Sequence, residues 1–202
     1  MSQRKLIFCE PCVNGKICRS PFPGTCQERD EDLVHSDVCG KINSPSLGGA
    51  EYFVTFIDDK KHYVWIYVLK NKHEVFQKFK EWKSFVETSS GHKLKVLGTD
   101  NGGEYTSTEF ESYLKKEGIK REYTTPKTPQ QNGVSERMNH TLMETVRSML
   151  ADSRLPHRFW AEALSTAAYL INRSPTKTLG DKTQCQTPES VWLCSLLACL
   201  ER

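Results

Sequence analysis

Runs and alternations of apolar residues set out three strands before any helical spacing begins. Leu33–Cys39, Tyr52–Asp58 and Tyr63–Leu69 read as strands, the second and third rich in aromatic and β-branched residues. The polar break Asp58-Asp59-Lys60-Lys61-His62 joins those two as a hairpin. Across Lys72–Thr88 the interval changes. Val75, Phe76, Phe79, Trp82, Phe85 and Val86 recur at helical spacing with Lys and Glu between them, and Gly91 follows the end. Leu94–Asp100 is a further strand that carries Asp100 to its C-terminal edge, Ser107–Phe110 opens a helix closed by Gly118, and Ile119–Thr125 is a short strand stopped by Pro126. A long helix is expected from about Asn132 to Asp152, with Val134, Met138, Leu142, Val146 and Met149 on its apolar face. A last helix spans about Arg158 to Asn172. Strands first, then alternation, then helices predict an α/β fold: a five-stranded mixed sheet flanked by helices on both faces.

Composition narrows the class. The chain has 202 residues, 37% hydrophobic and 26% charged, which suits one globular domain with tails. No apolar run approaches the ~20 residues that span a bilayer, so no membrane partner is expected. Met1–Phe8 has a basic pair without a long apolar region behind it, so no secretory leader is expected either. The formal net charge of +3 is too small to indicate nucleic acid and does not oppose it. Eight cysteines lie at the two ends and none between positions 40 and 184, so the centre needs no disulfide, and the thiols read as free or as metal ligands.

Three acids carry the chemistry. Asp37 ends the apolar run from Leu33, Asp100 opens Asp100-Asn101-Gly102-Gly103-Glu104-Tyr105, and Glu136 lies in Gln130–Arg137, with 35 residues between Asp100 and Glu136. Carboxylates are the hard oxygen donors that Mg²⁺ and Mn²⁺ prefer. A pair of such ions ~3.5–4 Å apart can activate an attacking oxygen and stabilise a leaving one in phosphodiester chemistry. Strand ends are where open α/β sheets collect ligands. Asp58 and Asp59 also follow a strand and compete with Asp37, and spacing alone does not choose between them. Each acid also has a plainer role, as a turn residue or as a partner of a helix dipole. Asn101 with Gly102 and Gly103 permits a tight turn beside a ligand. The amides of Gln130, Gln131 and Asn132 suit DNA edges or phosphates, or Asn132 is the helix N-cap. Arg137 and His140 flank Glu136 and either meet phosphate or form a solvated face.

Six separate runs agree in order with one family: His35–Gly40, Ser46–Gly49, Tyr52–Asp59, Thr99–Tyr105, Thr128–Arg137 and Phe159–Ala163. Over about residues 30–183 the chain resembles the retroviral-type integrase catalytic core of the RNase H-like fold, in its copia-type LTR-retrotransposon form. The resemblance implies that Asp37, Asp100 and Glu136 are the catalytic residues and metal ligands, and it favours Asp37 over Asp58 and Asp59. It implies two Mg²⁺ or Mn²⁺ ions, cleavage near a cDNA 3′ end, and attack of the freed 3′-hydroxyl on target DNA. It further implies DNA contacts through Asn101, Gln130, Gln131, Asn132, Arg137 and His140, a homodimer or multimer, and action in the nucleus, with the cytoplasm otherwise. Residues 1–30 then form the remnant of a zinc-binding module, 31–183 the catalytic core and 184–202 a divergent tail. Cys9 and Cys12 look like the end of a His-His-Cys-Cys zinc site, yet no histidine precedes Cys12, so this is half a site and bound Zn²⁺ is not expected. Two alternatives stay open. One is a non-catalytic DNA- or protein-binding remnant of a transposon integrase; the other is a plain ribonuclease H-type nuclease.

Overall fold

The sheet grows outward from β1 (Leu33–Cys39), which pairs antiparallel with β2 (Tyr52–Asp58) on one side and parallel with β4 (Val96–Thr99) on the other. β3 (Val64–Leu69) continues antiparallel from β2 and β5 (Lys120–Tyr123) parallel from β4, giving the order β3-β2-β1-β4-β5. This is the predicted five-stranded mixed sheet. The computed structural model describes residues 33–123 and 129–174.

Among the described residues four α-helices cover it. A 3₁₀ turn at Lys72–Glu74 leads into α1 (Val75–Ser90), α2 spans Thr108–Glu117, α3 Pro129–Ser153 and α4 Trp160–Arg173. Local chemistry sets the ends of the first two. The Ser107 hydroxyl accepts the Phe110 N–H and caps α2, while Gly91 and Gly118 take left-handed backbone (φ 71°) just past α1 and α2, a conformation open to glycine. Among the described residues, no helix is long and apolar enough to cross a membrane.

Because helices lie on both sides, β2 is buried on both faces and its alternation sorts residues between two cores. Val54 and Phe56 face α1 and α2, where Phe56 stacks on Trp82 with ring centroids 4.4 Å apart. Phe53 and Ile57 face α3 and α4 and pack with Leu142, Val146, Trp160 and Leu164. Thr55 falls on that second side by the period of two, and Asp37 is its cross-strand partner.

Several expected boundaries shift. β1 and β2 match the expected spans, whereas β4 is shorter than Leu94–Asp100 and leaves Asp100 just beyond the strand. β5 begins at Lys120, one residue after the expected Ile119, and runs to Tyr123, while residues 124 and 125 of its expected span lie outside the described residues. The long helix begins at Pro129 rather than Asn132. Proline lacks only an N–H that the first turn leaves unbonded, so it starts a helix without loss. Asn132 is therefore inside the first turn and is not the N-cap, and Glu136 sits about two turns in.

α4 is clamped to the sheet by one buried side chain. Asn172 donates from Nδ2 to the Val64 carbonyl (2.8 Å) and accepts the Val64 N–H at Oδ1 (2.9 Å). Asn172→Ala orphans both backbone groups and is expected to cost ~2–4 kcal/mol in chemical denaturation, whereas the exposed Ser165→Ala stays within ~0.5 kcal/mol. Equal losses for the two variants would contradict the clamp.

Candidate active site

Strand register brings the first two acids together. β1 and β4 run parallel with Ser36 beside Thr99, so Asp37 and Asp100 are the next residues at the same sheet edge. Both are half-buried. Asp58 and Asp59 lie at the other end of β1. Asp58 pairs with Val34 and its carboxylate accepts the Lys60 and Lys61 N–H groups at 2.9 and 2.7 Å, while Asp59 Oδ1 lies 3.1 Å from His35 Nε2. Three residues of strand, about 10 Å, part that end from Asp37. The turn and the His35 contact occupy the two competitors.

The third acid comes from α3, which packs across β1 and β2. Ser135, Asn139, Leu142 and Val146 point inward, and Glu136, Arg137 and His140 are exposed. Glu136 nevertheless stands close enough for its charge to act on Asp37. The Asp37 carboxyl is pushed above the usual Asp range first by burial and next by the Asp100 charge, with Glu136 adding to the rise; hydrogen bonds from Asn139 and the Val38 N–H oppose it. Among the described residues, no three His, Cys, Asp or Glu side chains stand close enough together to enclose a metal ion. Asp37 and Asp100 lie side by side by strand register, and the Glu136 charge is the weakest of the influences felt by Asp37.

The loop after β4 is held from below. Tyr105 is wholly buried, its hydroxyl 2.7 Å from Ser36 Oγ, and burial keeps the phenol protonated far above its ordinary range. Arg121 on β5 donates to Thr99 Oγ1 and to the Tyr105 carbonyl. Inside the loop the Gly102 N–H donates to Asp100 Oδ1 at 3.0 Å. A Cβ at Gly102 would lie 2.8 Å from the Glu104 carboxyl carbon and 2.9 Å from Asp100 Oδ1, so glycine lets the two acids flank one backbone position. Glu104 is matched by Lys72, 3.4 Å away.

Asp37 and Asp100 accept hydrogen bonds from neutral groups: the Asn139 amide and the Val38 N–H on the first, the Gly102 N–H on the second. Negative charge held by neutral donors at a strand edge suits a hard divalent cation. Asn139 was not singled out in the sequence, although it lies three residues after Glu136 on the same helix, the spacing that brings side chains to one side. Asn101 is exposed in the loop, the Arg137 guanidinium folds back to donate to the Gly133 carbonyl, and His140 Nδ1 lies 3.6 Å from Glu144 Oε1. The side chains of Gln130, Gln131 and Asn132 lie outside the described residues, as do Cys9 and Cys12.

The integrase core domain family matches residues 27–129. The chain is 51% identical over 186 residues to the "Retrovirus-related Pol polyprotein from transposon TNT 1-94" of Nicotiana tabacum, covering 91% of this chain and 14% of that one. It is 35% identical over 188 residues to the "Retrovirus-related Pol polyprotein from transposon RE2" of Arabidopsis thaliana, covering 91% of this chain and 12% of the relative. It therefore spans about an eighth of the length of these relatives. Among solved structures it is similar to a chain of the cryo-electron microscopy structure of the simian T-cell lymphotropic virus intasome in complex with PP2A regulatory subunit B56 gamma. The TM-score is 0.63 at 20% identity, with 88% of this chain and 62% of that chain covered.

Burial and like charge make ionised Asp37 costly in the folded state, so its carboxyl keeps its proton to higher pH than in the unfolded chain. The stability it contributes is present below the ordinary Asp range and is lost as pH rises through the raised value. Metal-free Asp37→Asn is accordingly expected to melt at a higher temperature than the unchanged chain at pH 7. The gap should close once pH falls well below ~3.9. A variant that melts at or below the unchanged chain at pH 7 would contradict this.

Proposed function

The chain belongs to the integrase core domain family, in its copia-type retrotransposon branch with the RNase H-like fold, and from that premise we propose that it is a DDE-type polynucleotidyl transferase core acting on DNA ends. The observation that carries this reading is the β1–β4 register that sets Asp37 and Asp100 side by side at the ends of their strands, with α3, the helix of Glu136, packed against β1. Asp37, Asp100 and Glu136 would hold two Mg²⁺ or Mn²⁺ ions. When bound, such a pair supplies activation of the attacking oxygen and stabilisation of the leaving one.

The chain's own residues prepare that site. The β1–β4 register and the Tyr105–Ser36 and Arg121 bonds keep the two aspartates side by side before any ligand arrives, which lowers the reorganisation the reaction requires. In 3′-end processing, water oxygen bonds to phosphorus, the P–O3′ bond breaks and a 3′-hydroxyl is left. In strand transfer the oxygen of that hydroxyl bonds to a target phosphorus, the target's own P–O3′ bond breaks, and the proton ends on the target 3′-oxygen that leaves. No covalent protein intermediate enters either step. The exposed Asn101 follows Asp100 in the chain, the exposed Arg137 and His140 lie one and four residues after Glu136 on α3, and these are proposed to meet DNA together with Gln130, Gln131 and Asn132. The partners are cDNA ends and target DNA, the acting form is a multimer, and the place of action is the nucleus.

One observation favours the second reading, a non-catalytic DNA-binding remnant: among the described residues the three acids do not close into a metal cage. Strand transfer on short duplexes in Mn²⁺ or Mg²⁺ separates the two. The purified chain should join DNA ends, and Asp100→Asn and Glu136→Gln should each fall to background. Activity that survives both substitutions contradicts the assignment, and firm DNA binding without turnover in either metal supports the remnant.

A further inference from the structure

A buried relay of neutral groups runs from the middle of β2 to the Asp37 carboxylate. Asn139 Nδ2 donates to Asp37 Oδ2 at 2.9 Å, and Thr55 Oγ1 donates to Asn139 Oδ1 at 3.0 Å. Thr55 is fully buried and Asn139 nearly so. Thr55 is also the register partner of Asp37, so the relay closes a loop from strand to helix and back to the neighbouring strand.

Chemistry sets the direction of each bond. An ionised carboxylate only accepts, so the Asn139 amide must turn its NH₂ toward Asp37. Its carbonyl oxygen then faces Thr55 and needs a donor. A hydroxyl has one proton to give. The Thr55 oxygen lies 3.0 Å from Asn139 Oδ1 and 3.4 Å from the Asp37 carbonyl oxygen, so the amide is the better acceptor. Without that hydroxyl the amide keeps its volume but loses the contact that tells its two ends apart. A flipped amide would set carbonyl oxygen against carboxylate oxygen.

We propose that Thr55 is a positioning residue for the reaction: through Asn139 it orients the Asp37 carboxylate so that its free lone pairs face Asp100 and a divalent cation held between them. The proposal rests on the reading of Asp37 and Asp100 as metal-holding residues. Thr55 lies beneath the acids in the sheet and acts on the cation only through Asn139 and Asp37. Groups that orient a metal's ligands from behind typically change metal affinity by ~10–100-fold when removed.

Mn²⁺ binding to the 202-residue chain, followed without DNA by the electron paramagnetic resonance signal of free Mn²⁺, tests it. Thr55→Val keeps shape and strand preference but lacks the hydroxyl, and should weaken binding ~10–100-fold; Thr55→Ser should restore it. In an Asn139→Ala background Thr55→Val should have no further effect, because the relay is already cut. Thr55→Ala replaces Thr55→Val in every arm if the valine variant does not fold. Unchanged Mn²⁺ affinity in the hydroxyl-free variant, failure of serine to restore it, or additive losses in the double variant would each overturn the proposal. Asp100→Asn is the control for the underlying reading. If it leaves Mn²⁺ affinity unchanged, the metal-holding pair itself is wrong; if it weakens binding while Thr55→Val does not, only the relay is.

Discussion

Two carboxylates kept side by side repel each other, and most of the architecture near them answers that repulsion. The parallel pairing of β1 and β4 forces Asp37 and Asp100 to the same edge, and partial burial raises the cost of their charge. A protein that only sought stability would place a lysine or an amide there. Here the partners of Asp37 are an amide and a backbone N–H, which hold direction without cancelling charge. Below them, Tyr105, Ser36, Thr99 and Arg121 knit the β4 edge into the sheet. The pair is tied into the sheet by hydrogen bonds and, among the described residues, left without a cationic partner, a combination that would suit an incoming cation.

The contrast with the rest of the charge in the domain supports this. Lys83 on α1, buried among apolar side chains, is met by Glu87 and Glu117 at 2.8 and 2.9 Å, and its pKa is raised because those partners outweigh burial. Glu104, beside Asp100, has Lys72. Lys83 and Glu104 are matched by opposite charge, while Asp37 is matched by dipoles.

The elements were largely legible in the sequence because burial on both faces leaves a plain signature: the continuous apolar run of β2, the helical stripe of α1, and the Ser107 and Gly118 stops of α2. Boundaries that depend on backbone chemistry were less so. Pro129 begins α3 three residues before the apolar stripe would place it, which displaces Asn132 from the cap. Spacing leaves Asp37, Asp58 and Asp59 as rivals, the family resemblance favours Asp37, and strand register puts the latter two at the far end of β1. Asn139 was invisible for a physical reason. A polar residue on an amphipathic helix reads as solvated unless the partner across the core is known, and that partner, Thr55, lies 84 positions earlier. The expected zinc remnant at Cys9 and Cys12 lies outside the described residues, so the described fold bears on the surroundings of Asp37 and Asp100 and not on that remnant.

The central claim is that Asp37 and Asp100 are a preassembled cation site to which Glu136 is added. Anomalous diffraction from crystals of the chain soaked in Mn²⁺ tests it most directly. The account predicts a peak bridging the Asp37 and Asp100 carboxylates, with the Glu136 carboxylate drawn to it from the rim. A peak that avoids both aspartates, or Mn²⁺ bound only at other acids such as Glu104, would contradict it.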